Sequence, residues 1–362
     1  MNRAKKESMS IQTAIAKLRR RNLNFATLKV ALEHNGLPKS NGWGNLERKY
    51  ADLKIPAADA VSHASKLERI YRNNIEWGNK AVQIAAFDIS DASLFAAMVD
   101  HRFAPEFSPT NAFPDPVSDE DLALLTGHPV LVSRVVNQTA TGATLYFYSR
   151  AYETDKEVFS VDEMKDDASR RRFAGFDQVV AYRRLIFQRI DSIHIDARNR
   201  RIEFRVDATG LPTIDRKLEA LKELKEKFRK LMVTHIDRIW EKKAIQLSNF
   251  YPKIDRMYNG AIGTVVQLDH NTPAGAINHG KMRGKRGDLK NDPSHIASMD
   301  ASDNEKFAIQ KAYPYFNGLS MVHLSIPGKS ADTGLANPET NTAIIENCIV
   351  GNQFEDMMQI LR

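Results

Sequence analysis

Four residues in the C-terminal third are of the types that phosphodiester chemistry uses: Asp269, His270, His279 and His323. Imidazole titrates close to neutrality, so a pair of histidines can give and take a proton, while a carboxylate orients them or joins them on a metal. Lys281, Arg283, Lys285 and Arg286 sit nearby in the glycine-punctuated stretch NHGKMRGKRGDLKN, residues 278–291, and would offset charge developing on phosphoryl oxygens. The spacing argues the other way. Intervals of nine residues and more do not set ligands on one element, and loop histidines are commonly surface groups. A histidine- or metal-dependent phosphodiesterase is therefore the alternative reading, with the catalytic residues left unknown and no metal or cofactor assigned.

The phosphate-binding motifs fail in informative ways. The glycines at 280, 284 and 287 have the wrong spacing for a dinucleotide fingerprint, and no helix follows them. PGKS at 327–330 ends like a phosphate loop, but His323 stands where its first glycine belongs, and Gly334 and Pro338 oppose the helix that must come next. No GxSxG, HExxH or EF-hand pattern occurs. The stretch 278–291 reads as a mobile surface loop.

Charge carries the leading reading. Residues 1–54 hold 12 basic and 4 acidic groups, and residues 170–256 hold 22 and 12, two blocks that together carry +18. Residues 55–169 are acidic at −9 and the remainder stands at −2. Basic blocks are electrostatic footprints for polyanions, because each neutralised phosphate releases counterions. The phosphate-contacting set is Arg19, Arg20, Arg21, Lys39, Asn41, Arg48, Arg171, Arg172, Arg183 and Arg184, with Lys281, Arg283, Lys285 and Arg286 as accessory contacts. Arginine suits bidentate phosphate contacts, and Phe173, Tyr182 and Phe187 interleave with the central arginines as stacking surfaces. The arginines pairing with the acidic block is the competing explanation.

These residues must be held by elements that the pattern also predicts. Ile11, Ile15 and Leu18, then Phe25, Leu28 and Leu32, then Leu46, Tyr50 and Leu53 fall at helical spacing, so residues 1–55 read as a helical, helix-turn-helix-like unit. Residues 56–117 read as a helical and mixed segment ending in a proline-rich connector, and 118–211 as a β-rich domain. There Asp191, His194, Asp196, Glu203, Arg205 and Asp207 read as a solvated sheet face. Leu218, Leu221, Leu224, Phe228, Leu231 and Ile239 predict a long bridging helix over 212–247 that could pair with itself or a partner. A small α/β lobe over 248–362, including a helix at DNEKFAIQKAY, completes an α+β fold with a central antiparallel sheet.

A single cysteine, Cys348, rules out an intramolecular disulfide and a cysteine-based zinc site, and suits a reducing cytoplasm. No apolar run reaches the ~18 residues of a membrane span, so no membrane partner is expected. The first 22 residues lack the apolar core of a secretory signal. The sum is a non-catalytic component of a larger assembly that binds nucleic acid, DNA ahead of RNA, of the kind that serves bacterial defence or mobile elements. An oligomeric scaffold or adaptor pairing through 212–247 is the third reading.

Overall fold

The alternation of apolar residues in the β-rich region is realised as one sheet. In the computed structural model, which describes residues 10–107, 113–137, 141–163, 166–283, 287–301 and 303–362, ten strands join side by side with every neighbouring pair antiparallel. They are β1 (Lys80–Ala86), β2 (Val130–Val136), β3 (Gly142–Ser160), β4 (Gln178–Asp196), β5 (Arg201–Asp207), β6 (Thr264–Asn271), β7 (Ile277–Lys281), β8 (Glu305–Tyr315), β9 (Ser320–Ile326) and β10 (Ala343–Glu346). Their spatial order is β2-β3-β4-β5-β1-β10-β9-β8-β6-β7. The fold is α+β. Strand β1 is paired to β5 on one side and β10 on the other, so the boundaries expected at 117/118, 211/212 and 247/248 do not interrupt the sheet.

Helices cover both faces. The N-terminal unit comprises α1 (Ile11–Arg20), α2 (Phe25–His34), α3 (Trp43–Ala51) and α4 (Ala57–Trp77). Ser10 and Asn24 cap the first two by accepting from backbone N–H groups that would otherwise lack partners. Its apolar stripe, including Leu18, Leu28, Leu46 and Leu67, buries Tyr146, Tyr148 and Ile190 of β3 and β4. The opposite face carries α5 (Ala92–Asp100) and, after the short α6 (Asp119–Leu124) and α7 (Asp167–Arg172), α8 (Ile214–His235). The remaining helices, α9 (Tyr251–Asn259), α10 (Pro293–Asp300) and α11 (Gly351–Leu361), belong to the C-terminal half, where α9 and α11 pack on β8, β9 and β10.

Three sequence expectations are corrected. Helix α8 stops at His235 instead of continuing to 247. The chain turns at Ile236, Asp237 caps a 3-10 turn by accepting from Ile239, and Trp240 folds back edge-on to Phe228 at 5.5 Å. Leu221, Leu224 and Phe228 are fully buried under the chain's own sheet, so this helix neither bridges lobes nor offers that stripe for self-association. The segment DNEKFAIQKAY forms β8, not a helix. Its period-two set Phe307, Ile309, Lys311 and Tyr313 includes a lysine buried to donate to the carbonyls of Met257, in the last turn of α9, and of Gly260, which caps that helix; this hid the alternation. The described part of the glycine-rich stretch is also ordered: residues 277–281 are the edge strand β7, and Asp288 accepts from the Val265 and Lys290 amides.

Candidate nucleic-acid interface

Strands β3 and β4 run far beyond the rest of the sheet. Their register is continuous from Gly142↔Asp196 to Ser160↔Gln178, but β2 pairs with β3 only as far as Tyr148, and β5 with β4 only from Ser192. The nine pairs from Tyr152↔Ile186 to Ser160↔Gln178 therefore run on as a two-stranded arm, tied to the body at its root by Asn22, which donates to Glu153 at 3.0 Å, and about 30 Å long at ~3.3 Å per residue. Exposure along both strands agrees with that: Tyr152, Val158, Val180, Tyr182 and Ile186 are all open to solvent. Side chains at paired positions share a face, which sorts the arm into two unlike surfaces.

One face carries Tyr152, Thr154, Lys156, Val158 and Ser160 on β3 with Gln178, Val180, Tyr182, Arg184 and Ile186 on β4. It holds two cations, two tyrosines and no carboxylate. The opposite face carries Glu153, Glu157, Phe159, Val179, Ala181, Arg183 and Leu185. Arg183 and Arg184, adjacent in sequence, thus point to different surfaces, and only Arg184 belongs to the cationic one. At the tip, α7 exposes Arg171 and Arg172, and Phe176 is 65 % exposed beside them. Of the expected stacking residues Tyr182 is open, whereas Phe187 is buried at the arm's root, its ring filling the space a side chain at Gly210 would need.

The N-terminal arginines diverge. Arg19 makes a paired contact with Glu47 of α3 at 2.8 and 3.0 Å, and Arg20 meets the exposed Asp119 at 2.6 Å. Arg21 is 4 % exposed and ion-paired with the buried Asp207, so it is no surface contact for a duplex backbone and lines an interior cleft instead. The residues expected to form a solvated sheet face are instead interior: Asp191, Glu203, Arg205 and Asp207 are all buried. Arg189 donates to Asp191 at 2.9 Å, and Glu203 is clasped by Arg201, Arg205 and Arg362. Burial pushes the Asp207 carboxyl upward, but Arg21 and Lys80 outweigh it and hold it below its ordinary range. Burial pulls the Lys80 ammonium down to about 8. The buried carboxylates keep their charge because each has an arginine partner, while Lys80 donates to the Ile190 carbonyl at 3.5 Å.

On α3 the exposed polar side chains are Asn45, Arg48 and Lys49. With Lys29, Lys39, Ser40 and Asn41, Asn45 and Lys49 surround a depression of about 380 Å³. Lys39 is paired with Glu33, Lys29 donates to Asn41, and Arg48 donates to Asn45. Trp43 lies edge-on to Phe25 at 5.5 Å and closes the inner side of the helix. Eight residues separate α2 from α3, more than the tight turn of a helix-turn-helix. Helix α2 is itself docked, through Thr27 on Asn347 and His34 against Phe316.

The C-terminal residues do not form one centre. Asp269 faces His279 at 3.2 Å across β6 and β7, while His270, the next residue along, is buried near His295 with ring centres 6.3 Å apart. His323 lies on β9 opposite Ala312, whereas Asp269 lies opposite Ala308, four residues along β8. Among the described residues no group of three or more histidine, cysteine or carboxylate side chains could hold a metal ion. Lys281 and Arg283 are exposed on and after the edge strand β7; Lys285 and Arg286 lie outside the described residues. Seven strand spacings separate β7 from β4, about 34 Å at ~4.8 Å each. These cations are remote from the arm.

Tyr152, Lys156 and Phe176 were missed as site residues. The signal was present in YETDKEVF, where carboxylates occupy every odd position from 153 to 157 and none of the even ones. No family model, no curated protein and no solved structure matches this chain. No helix among the described residues is long and apolar enough to cross a membrane.

Proposed function

We propose that the protein is a non-catalytic nucleic-acid-binding component, with the β3–β4 arm as its principal contact and the exposed side of α3 as a second. The carrying observation is the unlikeness of the arm's two faces. A two-stranded ribbon fits the major groove of B-form DNA, which is about 12 Å wide. Laid there with Lys156, Tyr182 and Arg184 inward, the arm turns Glu153 and Glu157 away from the phosphates. The deep, narrow major groove of A-form RNA does not admit such a ribbon, which favours DNA. Arg171 and Arg172 at the tip, with Arg19 and Arg20 near the root, would meet backbone phosphates. A role within a larger assembly, including bacterial defence or mobile elements, is compatible with a binding arm that has no chemistry of its own.

The test is fluorescence anisotropy of a short labelled duplex titrated with protein at salt between ~50 and ~200 mM, where each neutralised phosphate contributes a log–log slope of about −0.9. Binding should weaken steeply with salt, and duplex DNA should bind ahead of duplex RNA. A flat salt response, or no binding to any DNA or RNA, removes the reading.

A further inference from the structure

A cleft at the root of the arm carries hydrogen-bond donors that the chain leaves unused. It encloses about 250 Å³ between the C-terminal turn of α1, residues 116–122 and the free edge of β4. Tyr71, Val117, Leu122, Ile186 and Ile190 give it apolar walls, and Arg19, Arg20, Arg21 and Gln188 give it donors. Arg21 and Gln188 are 4 % and 7 % exposed. Arg21 Nε is buried with no partner, and the Gln188 amide nitrogen has two hydrogens to place, of which the Tyr148 hydroxyl beside it takes at most one. Gln188 is nonetheless fixed, because its Oε1 accepts from the Val117 amide at 2.9 Å.

The unmatched groups are donors, so the missing partner is an acceptor. One carboxylate, Asp119, lines the cleft, and its contact with Arg20 is solvent-exposed and easily exchanged for a ligand oxygen. A flat, weakly polar body matches the walls. The volume is just under the ~300 Å³ at which drug-sized pockets begin, which fits one nucleotide and not two. Ile186 belongs both to the cleft and to the cationic face of the arm, so the two surfaces are continuous.

We propose that the root cleft binds one nucleoside monophosphate unit, its base against Leu122 and Ile186 and its phosphate on Arg20, Arg21 and Gln188. The unit can be a free nucleotide or the terminal nucleotide of a strand lying along the arm; only the second source rests on the arm being a nucleic-acid contact.

Calorimetry with adenosine 5′-monophosphate, inorganic phosphate and adenosine, together with anisotropy on a blunt duplex and on one with a 5′-phosphorylated overhang, tests both sources. The variants are Leu122→Trp, which fills the cleft, and Gln188→Glu, which keeps the shape and the Val117 contact but repels phosphate; thermal melts establish that each is folded. The expected result is that the monophosphate binds more tightly than either phosphate or adenosine, and that both variants weaken it about tenfold or more while blunt-duplex affinity stays within about twofold. Overhang preference without free-nucleotide binding, lost in both variants, supports the strand end as the source. Monophosphate binding with no duplex binding supports the cleft while ending the reading of the arm. No monophosphate binding at ~5 mM with no overhang preference, or binding that neither folded variant alters, overturns the proposal.

Discussion

The Arg184 guanidinium stands 5.0 Å from the centre of the Tyr152 ring, diagonally across the two strands of the arm, and Arg150 approaches the same ring at 5.9 Å. Exposed cation–π contacts contribute only ~0.5–1 kcal/mol, so this cluster does little to hold the arm together. Its effect is positional: the tyrosine limits the range of Arg184 and keeps a flat ring and a planar cation on the carboxylate-free face.

That placement separates two neighbouring arginines experimentally. Arg184→Ala combined with Lys156→Ala should lower affinity for duplex DNA and reduce the steepness of the salt dependence by about two phosphate contacts, ~1.8 in log–log slope. Arg183→Ala, on the face carrying Glu153 and Glu157, should change the slope by much less. Equal losses from Arg183 and Arg184, read by anisotropy across salt, would mean that the faces are not used differently.

Much of the fold was legible in the sequence because helix caps and strand alternation are local. Ser10, Asn24 and the isoleucines of β4 announce their elements within a few residues. What was hidden depends on non-local pairing. Nothing near Arg21 reveals that it ends opposite Asp207, 186 positions later, and that pairing converts an apparent surface cation into an interior one. Likewise β8 reads as a helix until α9 supplies carbonyls to its buried Lys311. The arm was visible only in pieces, since its two limbs lie on either side of an arginine-rich helical turn and become one surface through their register.

The arm should be separable from the body. Beyond Tyr152 its side chains are largely exposed, and the apolar clusters contain none of the residues from 153 to 160 or from 178 to 186. Replacing residues 155–183 with Asn-Gly, a turn suited to a tight hairpin, should shift Tm by no more than ~2 °C, because little buried area is lost. DNA binding should fall by at least about tenfold. A large loss of Tm, measured by circular dichroism, would show the arm to be structural.

Helix α8 provides a contrast between core packing and assembly. Phe228 is fully buried and lies edge-on to both Phe204, at 5.6 Å, and Trp240, at 5.5 Å. Phe228→Ala should therefore destabilise the chain by ~3–5 kcal/mol in urea unfolding. Light scattering under folding conditions should show the same mass as wild type. A folded variant of unchanged stability with an altered mass would restore the idea of helix pairing.

His194 makes stability fall on mild acidification. Its ring meets Thr144 Oγ1 at 3.1 Å and sits among Glu203, Asp196, Arg205 and Arg362. Burial, with Arg205 next in effect, pulls its pKa down from 6.5 to about 4, against Glu203 and Asp196. The folded state thus prefers the neutral ring, so its contribution is complete above the unfolded pKa of 6.5 and is lost as pH falls towards 4. The upper limit is ~3 kcal/mol at 1.36 kcal/mol per pKa unit. Buried His270 and His295 are depressed in the same direction and add to the loss. Glu203, held down at about 2 by its arginines against the burial penalty, loses its contribution only below its ordinary 4.5, which leaves pH 4.5–6.5 to the histidines. Asp191 acts in the opposite sense, since burial raises its carboxyl. Comparison with His194→Gln cancels these other groups. Urea midpoints should drop between pH 7 and 5 in wild type and drop measurably less in the variant; parallel curves would exclude His194 as the source of the acid sensitivity.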